Sequence, residues 1–226
     1  MLPEQVPWGL KEVLLVHVLR LVFGLILVRG VFPLVFAASP LVIEITDRLL
    51  VLALIGLVIH RHGAKWRDWG VSFRHGVQNG LRGLAGGAVL LGASLYSERL
   101  YVSVFFTSPV QHPLVAQVQN AATWRDLAVP LFLAALAAPV MEEGLYRLLT
   151  FPALKARFGL WGGALGSAAI FALFHFNVYW LAEMMVVGAG LALLYYWTGS
   201  LISAVVAHSF INTSKILMLY FGIPLI

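Results

Sequence analysis

The sequence predicts an all-α polytopic membrane protein, a transmembrane bundle of about seven helices. Three observations predict it. Of 226 residues, 61% are hydrophobic and only 11% are charged, where a soluble domain of this size carries about 25% charged residues. The apolar segments are continuous and long enough to span as helices, not short and alternating as in a transmembrane barrel. The basic residues gather between the apolar runs, where membrane topology places them.

The formal charge is +5 and cysteine is absent. The charge therefore speaks for topology, and no nucleic-acid partner is expected. Absence of cysteine excludes disulfides, thiolate ligands and a cysteine nucleophile. Residues 1–11 form a short polar lead without a basic region or a small-residue cleavage site. The first apolar run therefore reads as a retained helix, not a leader.

That run covers about 12–38, interrupted by His17, Arg20 and Arg29, with Pro33 and Pro40 marking its end. The second, about 41–60, holds Glu44 and Arg48 four residues apart, close enough to pair on one helical face. Residues 61–82 are the most polar part and interleave Trp66, Trp69 and Phe73 with Arg61, Lys65, Arg67, Arg74 and Arg82. They read as an interfacial cytoplasmic segment with its rings at headgroup level. A third run spans about 83–106, and a nearly neutral outer loop covers 107–126. The fourth, 127–149, is followed by Lys155 and Arg157. The fifth, about 160–177, is rich in small residues that permit close helix approach: Gly159, Gly163 and Ser167. A Thr198-Gly199-Ser200 turn joins the sixth run, about 178–197, to the seventh, about 201–221. The basic loops place the N-terminus in the cytoplasm. No repeat or second domain is visible, so residues 1–226 read as a single transmembrane domain whose motif-bearing core is about 127–221.

The fourth run carries Glu142, Glu143 and Arg147. Each charge near a helix centre costs roughly 2.5–3.5 kcal/mol on insertion scales unless it pairs or meets water. Glu143 and Arg147 are four apart and can pair, whereas Glu142 points about 100° away, on the face of Tyr146. Phe171 and His175 share a face in the fifth run, as do His208 and Asn212 in the seventh. Together the three runs offer one free carboxylate, two imidazoles and one amide. Such a set can activate a water and donate to a developing oxyanion. The same groups can also hold a metal through Glu142, His175 and His208.

EExxxR, FxxxH and HxxxN in this order, on separate membrane helices, resemble the CPBP family. These are intramembrane endopeptidases of the CAAX-protease and bacteriocin-processing type, also called the Abi family. The motifs are Glu142 to Arg147, Phe171 to His175, and His208 to Asn212, and the WRDWGV segment ahead of them is similar too. The resemblance implies a bundle of eight or fewer helices with its active site inside the membrane. It assigns water activation to Glu142 and His175, the oxyanion hole to His208 and Asn212, and site shaping to Glu143, Arg147, Tyr146 and Phe171. It favours a glutamic mechanism without metal or other cofactor over a zinc-dependent one using Glu142, His175 and His208. The expected substrate is a peptide near a membrane anchor: a lipidated or transmembrane C-terminal tail, or a leader. The expected location is a prokaryotic cytoplasmic membrane. Two other readings share these residues: a non-catalytic scaffold or immunity protein of the same fold, and a proton-coupled transporter. The oligomeric state is not specified.

One expectation conflicts with these boundaries. With runs ending at 149 and starting at 160, Glu142 lies about 10 Å from the inner end of its helix and His175 about 22 Å from its own, at 1.5 Å per residue. Residues of one site should be level.

Overall fold

Three prolines shape the longest helices. Pro33, Pro139 and Pro152 each follow a π-helical stretch by two residues: Leu27–Val31, Leu133–Ala137 and Gly144–Thr150. Proline has no N–H, and its ring clashes with the carbonyl four residues back. The helix widens at that point instead of stopping. The N–H groups of Phe32, Ala138 and Phe151 accordingly reach the carbonyls five residues back, those of Leu27, Leu133 and Tyr146.

The computed structural model describes residues 6–35, 39–106 and 113–225. Among these residues every regular element is helical. Helix α1 (Leu10–Ile26) continues through its π stretch into Phe32–Val35, so Pro33 does not end it as expected. The expected end of the first run at 36–38 lies outside the described residues. Helix α2 (Pro40–Arg61) follows, then a 3-10 turn at Trp66–Trp69 and α3 (Gly76–Phe105). The short α4 (Pro113–Gln119) lies in the expected outer loop, of which 107–112 are outside the described residues. Helices α5 (Trp124–Phe132), α6 (Ala138–Glu143) and α7 (Phe151–Leu173) form one helical path through two π stretches. Helices α8 (Leu181–Thr198) and α9 (Leu201–Tyr220) complete the bundle. Among the described residues four stretches are long and apolar enough to cross a membrane: Leu10–Leu34, Trp124–Leu173, Leu181–Thr198 and Leu201–Tyr220.

The path through α7 turns sharply at Gly159, whose φ of 73° and ψ of 180° suit only glycine. Beyond it the helix packs back on the segment before it. Gly163 lies against the Lys155 backbone, Gly166 against Leu154, and Ser167 Oγ donates to the Tyr146 carbonyl at 3.0 Å. The small residues of the fifth run therefore serve this fold-back. The turn also removes the conflict of levels. The helix holding Glu142 does not end at 149 but continues to Phe158, sixteen residues on, or about 24 Å. His175 lies fifteen residues beyond Leu160, or about 22 Å. The two are nearly level, and the ring of Phe171 meets both Tyr146 and His208.

Trp8, Trp69 and Tyr195 staple one end of the bundle. Trp8 Nε1 donates to the Leu149 carbonyl at 2.9 Å, and its ring lies 4.6 Å from that of Trp69. The Tyr195 hydroxyl donates to the Trp69 carbonyl at 2.7 Å, and the Leu201 N–H to the Gly70 carbonyl. Trp66 and Phe73 are exposed, as an interfacial segment requires, but Trp69 is buried. The expectation of rings at headgroup level therefore fails for Trp69, whose indole belongs to the core.

Candidate active site

Glu143 lies on the last turn of α6 and is fully buried. Its Oε2 stands 3.1 Å from Arg147 Nε, the expected four-residue ion pair. Arg147 is fully buried as well, and the pair is close without being aligned for a hydrogen bond. The guanidinium packs 5.0 Å from the Phe171 ring centroid and donates through Nη2 to the Gly188 carbonyl at 3.3 Å. A Cβ on Gly188 would come within 3.0 Å of Ala168 and 3.2 Å of Phe171. Glycine there lets α8 approach closely enough for its carbonyl to reach the arginine.

The other oxygen of Glu143 faces α9. Glu143 Oε1 lies 2.8 Å from His208 Nδ1. An ionised carboxylate only accepts, so that ring nitrogen carries the hydrogen. His208 Nε2 is thereby turned toward Glu142, with Oε2 at 3.7 Å. Glu143 thus orients two groups, Arg147 and His208, where the spacing alone assigned it only the arginine. Glu142 is half-buried and has no arginine of its own motif.

His175 does not sit within a helix. It occupies the turn just past the end of α7. The last carbonyls of a helix lack internal partners, and His175 Nδ1 meets that of Phe171 at 2.7 Å. A carbonyl accepts, so Nδ1 is the N–H and Nε2 keeps its lone pair in the neutral ring. The FxxxH spacing reads here as a ring capping its own helix, with the imidazole lying edge-on to Phe171 at 4.5 Å.

Asn212 answers a gap made by proline. The Ala138 N–H is drawn back to Leu133, and Pro139 has no N–H to offer. The Ala134 carbonyl accepts instead from Asn212 Nδ2 at 2.7 Å. One hydrogen of the amide is thereby committed, and the second remains. Tyr146 is buried against Phe171.

The structure brings Glu142, Glu143, Arg147 and His208 into one cluster, with Phe171 as the shared surface beneath His175. It does not bring Glu142, His175 and His208 together as metal ligands. Among the described residues no three His, Asp or Glu side chains are grouped to hold an ion.

Several neighbours were not read as site residues from sequence. His17 Nε2 meets Thr150 Oγ1 at 3.2 Å, and its ring packs tilted against that of Phe174 at 5.0 Å. Arg20 is bound by Asp47 through Nη2 at 2.9 Å and Nε at 3.3 Å, and it lies within electrostatic reach of Tyr146 and Glu142. The signal was present: a histidine and an arginine three residues apart in one apolar run, and an aspartate in the next. The expected Glu44–Arg48 pair forms.

A bundle of apolar helices enclosing a carboxylate–histidine cluster defines an integral membrane protein with an enzyme-like polar interior. The family model described as type II CAAX prenyl endopeptidase Rce1-like matches residues 124–214, so this motif-bearing part of the chain is similar to that family. No curated protein and no solved structure matches the chain.

Proposed function

We propose that this protein hydrolyses a peptide bond next to a membrane anchor, using a water activated by Glu142 and His175. One observation carries the reading: Glu143 is tied to Arg147 and His208, which leaves Glu142 as the half-buried carboxylate without a structural cation from its own motif. A half-buried carboxylate suits general base catalysis, and His175, with Nδ1 held by the Phe171 carbonyl, keeps Nε2 available to share the water's proton. The proton taken from water passes to the departing amine as the C–N bond breaks.

His208 and the second hydrogen of the Asn212 amide are the proposed oxyanion donors. Donation from His208 Nε2 requires a proton there in addition to that on Nδ1. This mechanism routes no step through a metal. The substrate is a membrane-anchored peptide, either a lipidated or transmembrane C-terminal tail or a leader. The end of the bundle stapled by Trp8 and Trp69 also carries Lys11, Arg61, Lys65, Arg67, Lys155 and Arg157, and we place it in the cytoplasm.

The test is cleavage of an anchored peptide by the reconstituted full chain. Glu142→Gln and His208→Ala should each lose cleavage while keeping the fold. Retained cleavage in either sinks the mechanism. A scaffold of the same fold would function equally well with Glu142→Gln, and a transporter would show flux in sealed vesicles.

A further inference from the structure

Away from the motif cluster, three charged side chains meet where α3, α8 and α9 pack together. They are Glu98 of α3, Glu183 in the first turn of α8 and Lys215 of α9. Lys215 Nζ lies 2.6 Å from Glu183 Oε1 and 3.2 Å from Glu98 Oε2. Both carboxyl groups are buried, and the lysine side chain is 14% exposed.

Two carboxylates on one ammonium leave one negative charge in excess, and burying an unmatched charge is costly. The surrounding elements supply no second cation among the described residues. Arg99, next to Glu98 on α3, is exposed, and so is Arg125. The short α4, which packs on α9, has no charged residue. On α9, His208 is bonded to Glu143, and Tyr220 packs on Trp124. On α8, Tyr195 is bonded to the Trp69 carbonyl, and Tyr196 lies beneath Lys155. Tyr179, in the turn before α8, is within electrostatic reach of Glu98 but is an uncharged phenol. The two carboxyl groups are also within hydrogen-bonding reach of each other. Ionised carboxylates only accept, so two of them repel. One proton between them makes a hydrogen bond and leaves the triad neutral.

The triad sits at a telling place on α9. Lys215 follows His208 by seven residues, two turns or about 10 Å, on nearly the same face, with Asn212 between them. The first half of the helix is fixed by backbone approach to α3. A Cβ on Gly83 would come within 2.7 Å of the Ser203 carbonyl oxygen and one on Gly87 within 3.0 Å of Ala207, and Ser203 Oγ donates to the Asn79 carbonyl at 3.0 Å. His208 and Asn212 follow that contact and precede the triad.

We propose that Lys215 is a positioning residue for His208 and Asn212, and that Glu98 and Glu183 hold it in a triad carrying one shared proton. The proposal rests on the protease reading and adds to that site the clamp that sets its oxyanion donors. Carboxylates of the unfolded chain are ionised in water at neutral pH. The folded chain then binds one proton more than the unfolded chain, so stability falls as pH rises. Loss of the proton leaves the excess charge unmatched, and the end of α9 gives way toward water.

The test uses the full chain in lipid nanodiscs. Infrared spectra should show the C=O stretch of a protonated carboxyl group that Glu98→Gln and Glu183→Gln each remove, since the remaining carboxylate matches Lys215 without a proton. Glu142→Gln should keep that band. The thermal midpoint should fall from neutral to alkaline pH in wild type, and less steeply in Glu98→Gln. Absence of the band, or equal pH slopes, would overturn the shared proton. Magnetic resonance of isotope-labelled histidine nitrogens reports on the His208 bond to Glu143. Lys215→Met should shift the His208 signals, and Lys215→Arg should restore them in part. Combining Lys215→Met with Glu98→Gln and Glu183→Gln removes every charge of the triad and should keep the fold. It should still show the shifted signals and about a tenfold loss in kcat with KM unchanged. Unshifted signals, or wild-type kcat in that triple variant, would overturn the positioning role. The spectra need no hydrolysis, so a wild-type chain that meets them but never cleaves an anchored peptide would overturn the protease reading and leave the triad standing.

Discussion

His208 is held between two carboxylates, its Nδ1 2.8 Å from Glu143 and its Nε2 3.7 Å from Glu142. The adjacent glutamates thus reach opposite nitrogens of one ring, although the helix points them about 100° apart. Glu143 supplies a short bond that fixes the ring, and Glu142 stands too far for one.

The two glutamates should fail differently when replaced. Glu142→Gln is isosteric and half-buried, so thermal unfolding should stay near wild type while cleavage falls by at least about 10²-fold. Glu143→Ala leaves Arg147 charged and buried, and a broken buried pair costs about 3–5 kcal/mol. Unfolding midpoints and initial rates measured in the same detergent separate the two. Equal stability of the two variants would contradict the assignment of Glu143 to Arg147.

Asn212 and Pro139 should be thermodynamically coupled. Asn212→Ala strands the Ala134 carbonyl and should cost about 1–3 kcal/mol. Pro139→Ala restores an N–H to the chain, so the double variant should lose less than the sum of the single ones. Strict additivity would mean that the amide does not serve that carbonyl. Cleavage should stay low in both variants lacking Asn212.

Gly159 should tolerate no side chain. Its backbone lies in a region nearly reserved for glycine, and Gly159→Ala should cost about 1–3 kcal/mol. The strain is relieved by unwinding the turn, which shifts His175 against Glu142, so activity should fall further than stability does. A thermal midpoint equal to wild type would show that the turn is not required.

Gly188→Ala should act at a distance from the reacting atoms. The added methyl presses on Ala168 and Phe171 and moves the carbonyl that receives Arg147. A cost of about 1–3 kcal/mol is typical of overpacking. The measurement is thermal stability with and without Arg147→Met. A full effect of Gly188→Ala when the arginine is absent would show that packing alone is at stake.

Chelation tests the metal question directly. The metal-free reading expects unchanged cleavage after the purified protein is treated with a strong chelator and its metal content is measured. Loss of activity that returns with added zinc would overturn it.

The sequence by itself determined the membrane class, the helix count to a close approximation and the partnership of Glu143 with Arg147. These are properties of runs and spacings: continuous apolarity needs no partner to be read, and residues four apart share a face wherever the helix lies. It also placed α2, α8 and α9 within a few residues, since their ends coincide with polar turns. The tertiary structure decided the rest. The lysine and arginine after the fourth run looked like a loop, yet the helix carries them on to a single glycine, because charged residues end a membrane span without ending a helix. The π stretches were not legible either, since proline reads as a stop, and only packing on both sides made a widened helix the lower-energy answer. The joint grip of Glu143 on Arg147 and His208, the Asn212 bond to Ala134 and the hold of Glu98 and Glu183 on Lys215 all join residues far apart in the chain. Such pairs leave no periodic trace in a single sequence, because what makes them neighbours is the burial of whole helices against one another.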